Sequence, residues 1–90
     1  MEINAIYLDN LSTTPIDSKV FKEMKPFLTN LFGNPASSVH LYGWQANEAI
    51  AIARNKVSKL INTLPDNIVF TSGATESINL ALKGLYKKTI

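Results

Sequence analysis

Thr71, Ser72, Gly73, Ala74 and Thr75 stand in a row between a short apolar run, Ile68-Val69-Phe70-Thr71, and a segment of helical spacing that begins at Thr75. Backbone N–H groups at a helix N-terminus lack intrahelical partners and lie at the positive end of the helix dipole, so a small-residue turn leading into a helix can receive a phosphate. Gly73 would let the ligand approach the backbone closely, and Thr71, Ser72 and Thr75 would offer hydroxyl donors. The same residues serve equally well to turn the chain and cap it, with Ser72 or Thr75 satisfying its own helix, and on the residues alone capping is the simpler reading. Neither G-x-x-x-x-G-K-[ST] nor G-x-G-x-x-G is present, and Glu76 sets a carboxylate in the first turn, where it suits the dipole but opposes a free anion.

No other constellation carries chemistry so directly. His40 is the only histidine and the chain has no cysteine, which excludes a disulfide framework, a thiolate metal site and a cysteine nucleophile; no metal site is expected. A histidine at the start of a helix is read here as making a local hydrogen bond, and Tyr42 and Trp44 as packing residues. The net charge is +2, with Lys87-Lys88 the only adjacent basic pair, so there is no basic stripe for nucleic acid. No apolar run approaches the ~20 residues of a membrane span, and no signal-type apolar region opens the chain, which points to the cytoplasm.

The elements that would position the turn can be read from spacing. Ala5-Ile6-Tyr7-Leu8 predicts a short strand, followed through residue 15 by a loop of turn-forming and hydroxyl residues ending at Pro15. Asp17 is the expected N-cap of a helix over about 18–31, interrupted by Pro26 and closed by Gly33-Asn34-Pro35. Ser37 or Ser38 is expected to cap a longer helix over about 38–61, with Gly43 near its start requiring a packing reason. Residues 68–71 predict a strand buried on both faces, 72–75 the turn, and about 75–86 a helix.

The two strands cannot by themselves make a sheet, since a strand buried on both faces needs neighbours. With 46% apolar and 18% charged residues the composition is globular, yet 90 residues bury only about 60–65% of the unfolded chain's surface. The chain therefore reads as the opening of a larger α/β protein, mostly helical when taken alone and containing no complete domain.

YLDNLSTTP at 7–15, FGNPASSVHLYGWQANEAIAIAR at 32–54 and IVFTSGATESINLALKG at 68–84 resemble, in that order, the N-terminal part of the cysteine desulfurases, enzymes of the class-V aminotransferase type that use pyridoxal 5'-phosphate. The resemblance implies the large-domain fold of pyridoxal-phosphate type I enzymes, with a mostly parallel sheet, and a homodimer. It assigns the cofactor phosphate to Ala74, through its N–H, and to Thr75, through its N–H and hydroxyl. The implied reaction converts L-cysteine to L-alanine and passes sulfur to an enzyme cysteine as a persulfide, for delivery to sulfur-acceptor and iron–sulfur scaffold proteins and to thio-cofactor assembly.

The Schiff-base lysine, the ring-stacking histidine, the aspartate on the pyridinium nitrogen and the cysteine nucleophile of that family all lie beyond the equivalent of residue 90, so no catalytic residue is assigned and this chain alone is expected to be inactive. Leu11 departs from the small or polar residue that many such enzymes carry there. Two rivals stand beside this reading: a non-catalytic truncated paralogue that binds a desulfurase protomer through apolar helix faces, and a structural, anion-binding α/β module. A lysine motif and a cysteine-bearing loop encoded downstream would distinguish the enzyme from the truncated paralogue.

Overall fold

The structure is a computed structural model that describes residues 4–89. Its elements are α1 (Ser18–Thr29), α2 (Leu41–Leu60), a 3-10 turn (Pro65–Asn67) and α3 (Ala74–Thr89). The chain divides between Glu48 and Ala49 into two compact units, the first holding α1 and the head of α2, the second the rest of α2 and α3.

In the first unit, Asp17 caps α1 as its residue type requires: its side chain accepts from the Lys19 N–H at 2.8 Å, and its carbonyl accepts from Phe21 at 2.9 Å. Pro26 sits inside the helix. The helix ends at Thr29, two residues before the expected boundary, because the N–H groups of both Asn30 and Leu31 turn back onto the Pro26 carbonyl, at 3.0 and 2.8 Å. A carbonyl shared in this way closes the last turn and cannot propagate it.

The start of α2 differs from expectation in which residue caps it. The helix begins at Leu41 and the capping residue is His40, whose Nδ1 accepts from the Gly43 N–H at 3.3 Å and whose carbonyl accepts from Trp44 at 3.2 Å. Ser37 and Ser38 are used instead in the preceding loop: the Ser37 N–H donates to the Asn34 carbonyl, and the Ser38 carbonyl receives the Trp44 indole N–H at 2.8 Å. The loop is pressed against the helix. A Cβ on Gly43 would stand 1.8 Å from the Ser37 carbonyl oxygen, and one on Gly33 2.3 Å from that of Tyr42. That close approach is the packing reason for Gly43, which is itself buried.

In the second unit, α2 closes in a Schellman arrangement. Thr63 donates to the Ser58 carbonyl at 2.8 Å, Asn62 donates to Lys59 at 3.3 Å, and Asn62 takes the left-handed conformation with φ 56. Asn tolerates this conformation better than other residues with a Cβ.

Residues 68–71 form no strand, contrary to the reading of the apolar run, and none is present at 5–8 or elsewhere among the described residues. The backbone at Ile68 is extended, φ -103 and ψ 126, but a ladder needs a second strand within hydrogen-bonding distance and the described residues supply none. Arg54 of α2 takes the place of a neighbour. Its Nε donates to the Ile68 carbonyl at 3.3 Å, and its guanidinium lies over the Phe70 ring, 5.2 Å from the centroid. α3 then starts one residue earlier than the spacing suggests and continues to Thr89.

Ala46 is the one buried hydrophobic side chain among the described residues, while the apolar stripe of α1 stays open to solvent, with Phe21 49% and Phe27 42% exposed. Burial of a side chain of that size is worth about 1.5–3 kcal/mol, and most of that stabilisation is not collected here. The isolated 90-residue chain is expected to bind hydrophobic dyes and to melt without a cooperative transition; a monodisperse monomer with a sharp thermal midpoint would contradict this. Within a longer protein that buries these faces, Gly43→Ala is expected to cost about 1–3 kcal/mol through overpacking. Gly84→Ala, where no atom lies within 4 Å of the added Cβ, should instead stabilise α3 by up to about 1 kcal/mol. Chemical denaturation of the two variants measures both.

Candidate functional site

The turn 71–77 is built by side chains that satisfy one another. Gly73 is the residue before α3, and its carbonyl accepts the first helical hydrogen bond, from Ser77 N–H at 3.1 Å. The hydroxyls of Thr71 and Ser77 lie 2.5 Å apart, and both are within hydrogen-bonding distance of that carbonyl, at 3.2 and 2.9 Å. On the other side of the turn, one oxygen of Glu76 accepts from the Ser72 N–H at 3.1 Å and from the Ser72 hydroxyl at 2.8 Å. These two contacts, the backbone one first, hold the Glu76 carboxyl below its ordinary value.

The two readings of the turn differ in what the Ser72 and Thr75 hydroxyls do. Capping requires the oxygen of Ser72 or Thr75 to accept a helix N–H, and neither does: Ser72 gives its hydroxyl proton to Glu76, and the Thr75 hydroxyl has no partner among the described residues. Gly73 has no side chain with which to cap. The N–H groups of Ala74 and Thr75, the first two residues of α3, therefore point out of the helix end without an acceptor among the described residues.

Gly73 itself does not have positive φ, and no atom lies within 4 Å of a Cβ placed there. Unlike Gly33 and Gly43, it meets no steric demand from its own chain, so the space in front of the turn is open. The donor set, two N–H groups at a helix N-terminus and one hydroxyl beside an open approach, fits a phosphate. Glu76 is engaged by Ser72 and does not occupy those donors.

Sequence reasoning brought Ala74 and Thr75 to this place but missed the residues that hold it. Ser77 follows Gly73 by four and Glu76 follows Ser72 by four, spacings that place each pair on adjacent turns and were the available signal. Arg54, which ties the extended run to α2 ahead of the turn, is fourteen residues from its acceptor Ile68 and carries no local signature. His40 is spent as a cap, with its ring edge-on to Tyr42 at 6.2 Å. Among the described residues no three acidic or histidine side chains gather to hold a metal, and no helix is long and apolar enough to cross a membrane.

Residues 6–90 match the family described as Aminotransferase class-V. The chain is 60% identical over 82 residues to the cysteine desulfurase IscS of Shewanella loihica, 61% over 82 residues to that of Shewanella pealeana, and 57% over 79 residues to that of Neisseria meningitidis serogroup C. These alignments cover 88–89% of the chain and 20% of each relative, so the chain spans about a fifth of the length of the curated relatives it matches.

The Ser72 contacts of Glu76 set the pH response of the turn. A carboxyl whose value is lowered on folding adds stability that is fully present above its unfolded value, near 4.5, and is lost as the pH falls through the lower folded value. A carbon-detected NMR titration is therefore expected to place Glu76 below 4.5, with amide protection at the head of α3 declining only in that acid range. Ser72→Ala, which keeps the backbone donor, should raise the titration part of the way back.

Proposed function

The chain belongs to the class-V aminotransferase family and matches the N-terminal part of the cysteine desulfurases, and from that premise we propose that it is the first segment of a pyridoxal-phosphate-dependent cysteine desulfurase, contributing the phosphate end of the cofactor site. The observation that carries the proposal is the identity of well over half of the aligned positions across nearly the whole chain. The geometry of the turn supports it, because the donors it leaves without acceptors are those a phosphate ester uses.

In this reading the N–H groups of Ala74 and Thr75 and the Thr75 hydroxyl hold the cofactor phosphate, assisted by the α3 dipole, and the large-domain fold of type I pyridoxal-phosphate enzymes supplies the sheet in which residues 68–71 find their neighbours. Bound pyridoxal phosphate supplies an electron sink for bond cleavage in the amino acid substrate. The role of this chain is to bind and orient: it fixes the phosphate so that the ring is presented to groups supplied by later parts of the enzyme. With no cysteine it provides no acceptor for sulfur, and alone it is inactive. The whole enzyme would convert L-cysteine to L-alanine as a homodimer in the cytoplasm and hand sulfur to acceptor and iron–sulfur scaffold proteins.

The open stripe of α1 favours one further reading, a truncated paralogue that lays these faces on a desulfurase protomer. The coding sequence after Ile90 separates the two: a lysine motif and a cysteine-bearing loop in frame establish the enzyme, and a stop codon leaves the paralogue. In the full-length enzyme, Thr75→Val is expected to weaken pyridoxal phosphate binding about 10- to 100-fold, the range for losing a hydrogen bond to a charged group. Unchanged cofactor affinity, followed by absorbance, would remove the Thr75 hydroxyl from the site. Treated with pyridoxal phosphate and borohydride, the 90-residue chain alone should show no adduct at one defined lysine.

A further inference from the structure

We propose that Glu76 is the positioning residue of the phosphate turn: by taking both donors of Ser72 it holds the turn so that the N–H groups of Ala74 and Thr75 and the Thr75 hydroxyl remain directed to the ligand. The inference rests on the cofactor reading above and concerns which residue prepares that site. A carboxylate beside a phosphate is at first sight a liability, since like charges repel. Its geometry argues the opposite role. With Gly73 before α3 there is no side-chain cap, and the flexibility of glycine would let the turn relax unless it were held from outside.

Two clamps hold it. Thr71 and Ser77 fix the Gly73 carbonyl on one side, and Glu76 fixes Ser72 on the other, each spanning the residues between strand-like chain and helix. Of the polar side chains from 71 to 77, Thr75 alone is left without a partner among the described residues. Glu76 thus acts through Ser72 and does not touch the ligand.

Position and charge make opposite predictions for one substitution. If Glu76 mattered only as a negative charge, Glu76→Ala would tighten phosphate binding; if it positions the turn, Glu76→Ala weakens it although a like charge has been removed. Glu76→Gln keeps an acceptor oxygen for Ser72 and loses the charge, and restores binding. The experiment measures, by absorbance, the affinity of the apo-form of the full-length desulfurase carrying this segment for pyridoxal phosphate and for pyridoxal, which lacks the phosphate.

Expected are a loss of about five- to tenfold for pyridoxal phosphate in Glu76→Ala, no change for pyridoxal, and an affinity in Glu76→Gln equal to or tighter than that of the native protein. Tighter or unchanged pyridoxal phosphate binding in Glu76→Ala overturns the proposal, as does an equal loss for both ligands, which would mark a general structural effect. Thr75→Val measured alongside keeps the two claims apart. If it weakens pyridoxal phosphate while Glu76→Ala does not, only the positioning role fails; if Thr75→Pro, which removes a backbone donor that the reading assigns to the phosphate, leaves pyridoxal phosphate binding unchanged, the phosphate site itself is not at this turn.

Discussion

With Ala46 the one hydrophobic side chain buried among the described residues, apolar packing contributes little to holding the described elements, and short-range polar contacts must do so. Among the described residues the hydrogen bonds that close caps and turns are short in sequence: Asp17 with Lys19, His40 with Gly43, Ser58 with Thr63, Ser72 with Glu76. Such contacts are each worth about 0.5–1.5 kcal/mol, enough to define caps and turns but not to assemble a domain. The Arg54 bond to Ile68 spans fourteen residues and ties the extended run to α2 through a single donor.

The same locality explains what could be read from the sequence. Helices declare themselves through spacing and caps, which are local, so α1, α2 and α3 were found within a few residues of their ends and Asp17 was identified as a cap. The requirement for glycine at position 43 was visible as an anomaly, but its cause was not. The Ser37 carbonyl that excludes a Cβ arrives there through the loop conformation, and the same loop transfers capping from Ser37 or Ser38 to His40. Strand character at 68–71 was legible as composition alone. Whether extended backbone becomes a strand depends on a neighbour, a property that no residue in the run encodes.

At the turn, composition pointed to residues 71–75 and left two uses for them. The hydroxyl count could not decide between them because hydroxyls serve capping and binding alike. The partners decide which hydroxyls are available: Thr71, Ser72 and Ser77 are committed within the turn, and Thr75 is not. Local satisfaction of neighbouring groups thus leaves Thr75 as the hydroxyl of the turn without a partner among the described residues. The relatives that the chain matches are about five times its length, and its helix faces at Phe21 and Phe27 are open to solvent.

The most direct measurement is a crystal structure of the full-length enzyme carrying this segment with pyridoxal phosphate bound. The account predicts phosphate oxygens at about 2.7–3.1 Å from the Ala74 and Thr75 nitrogens, with residues 68–71 paired into a sheet and Phe21 and Phe27 buried. A phosphate held elsewhere, with the head of α3 facing solvent, would contradict it.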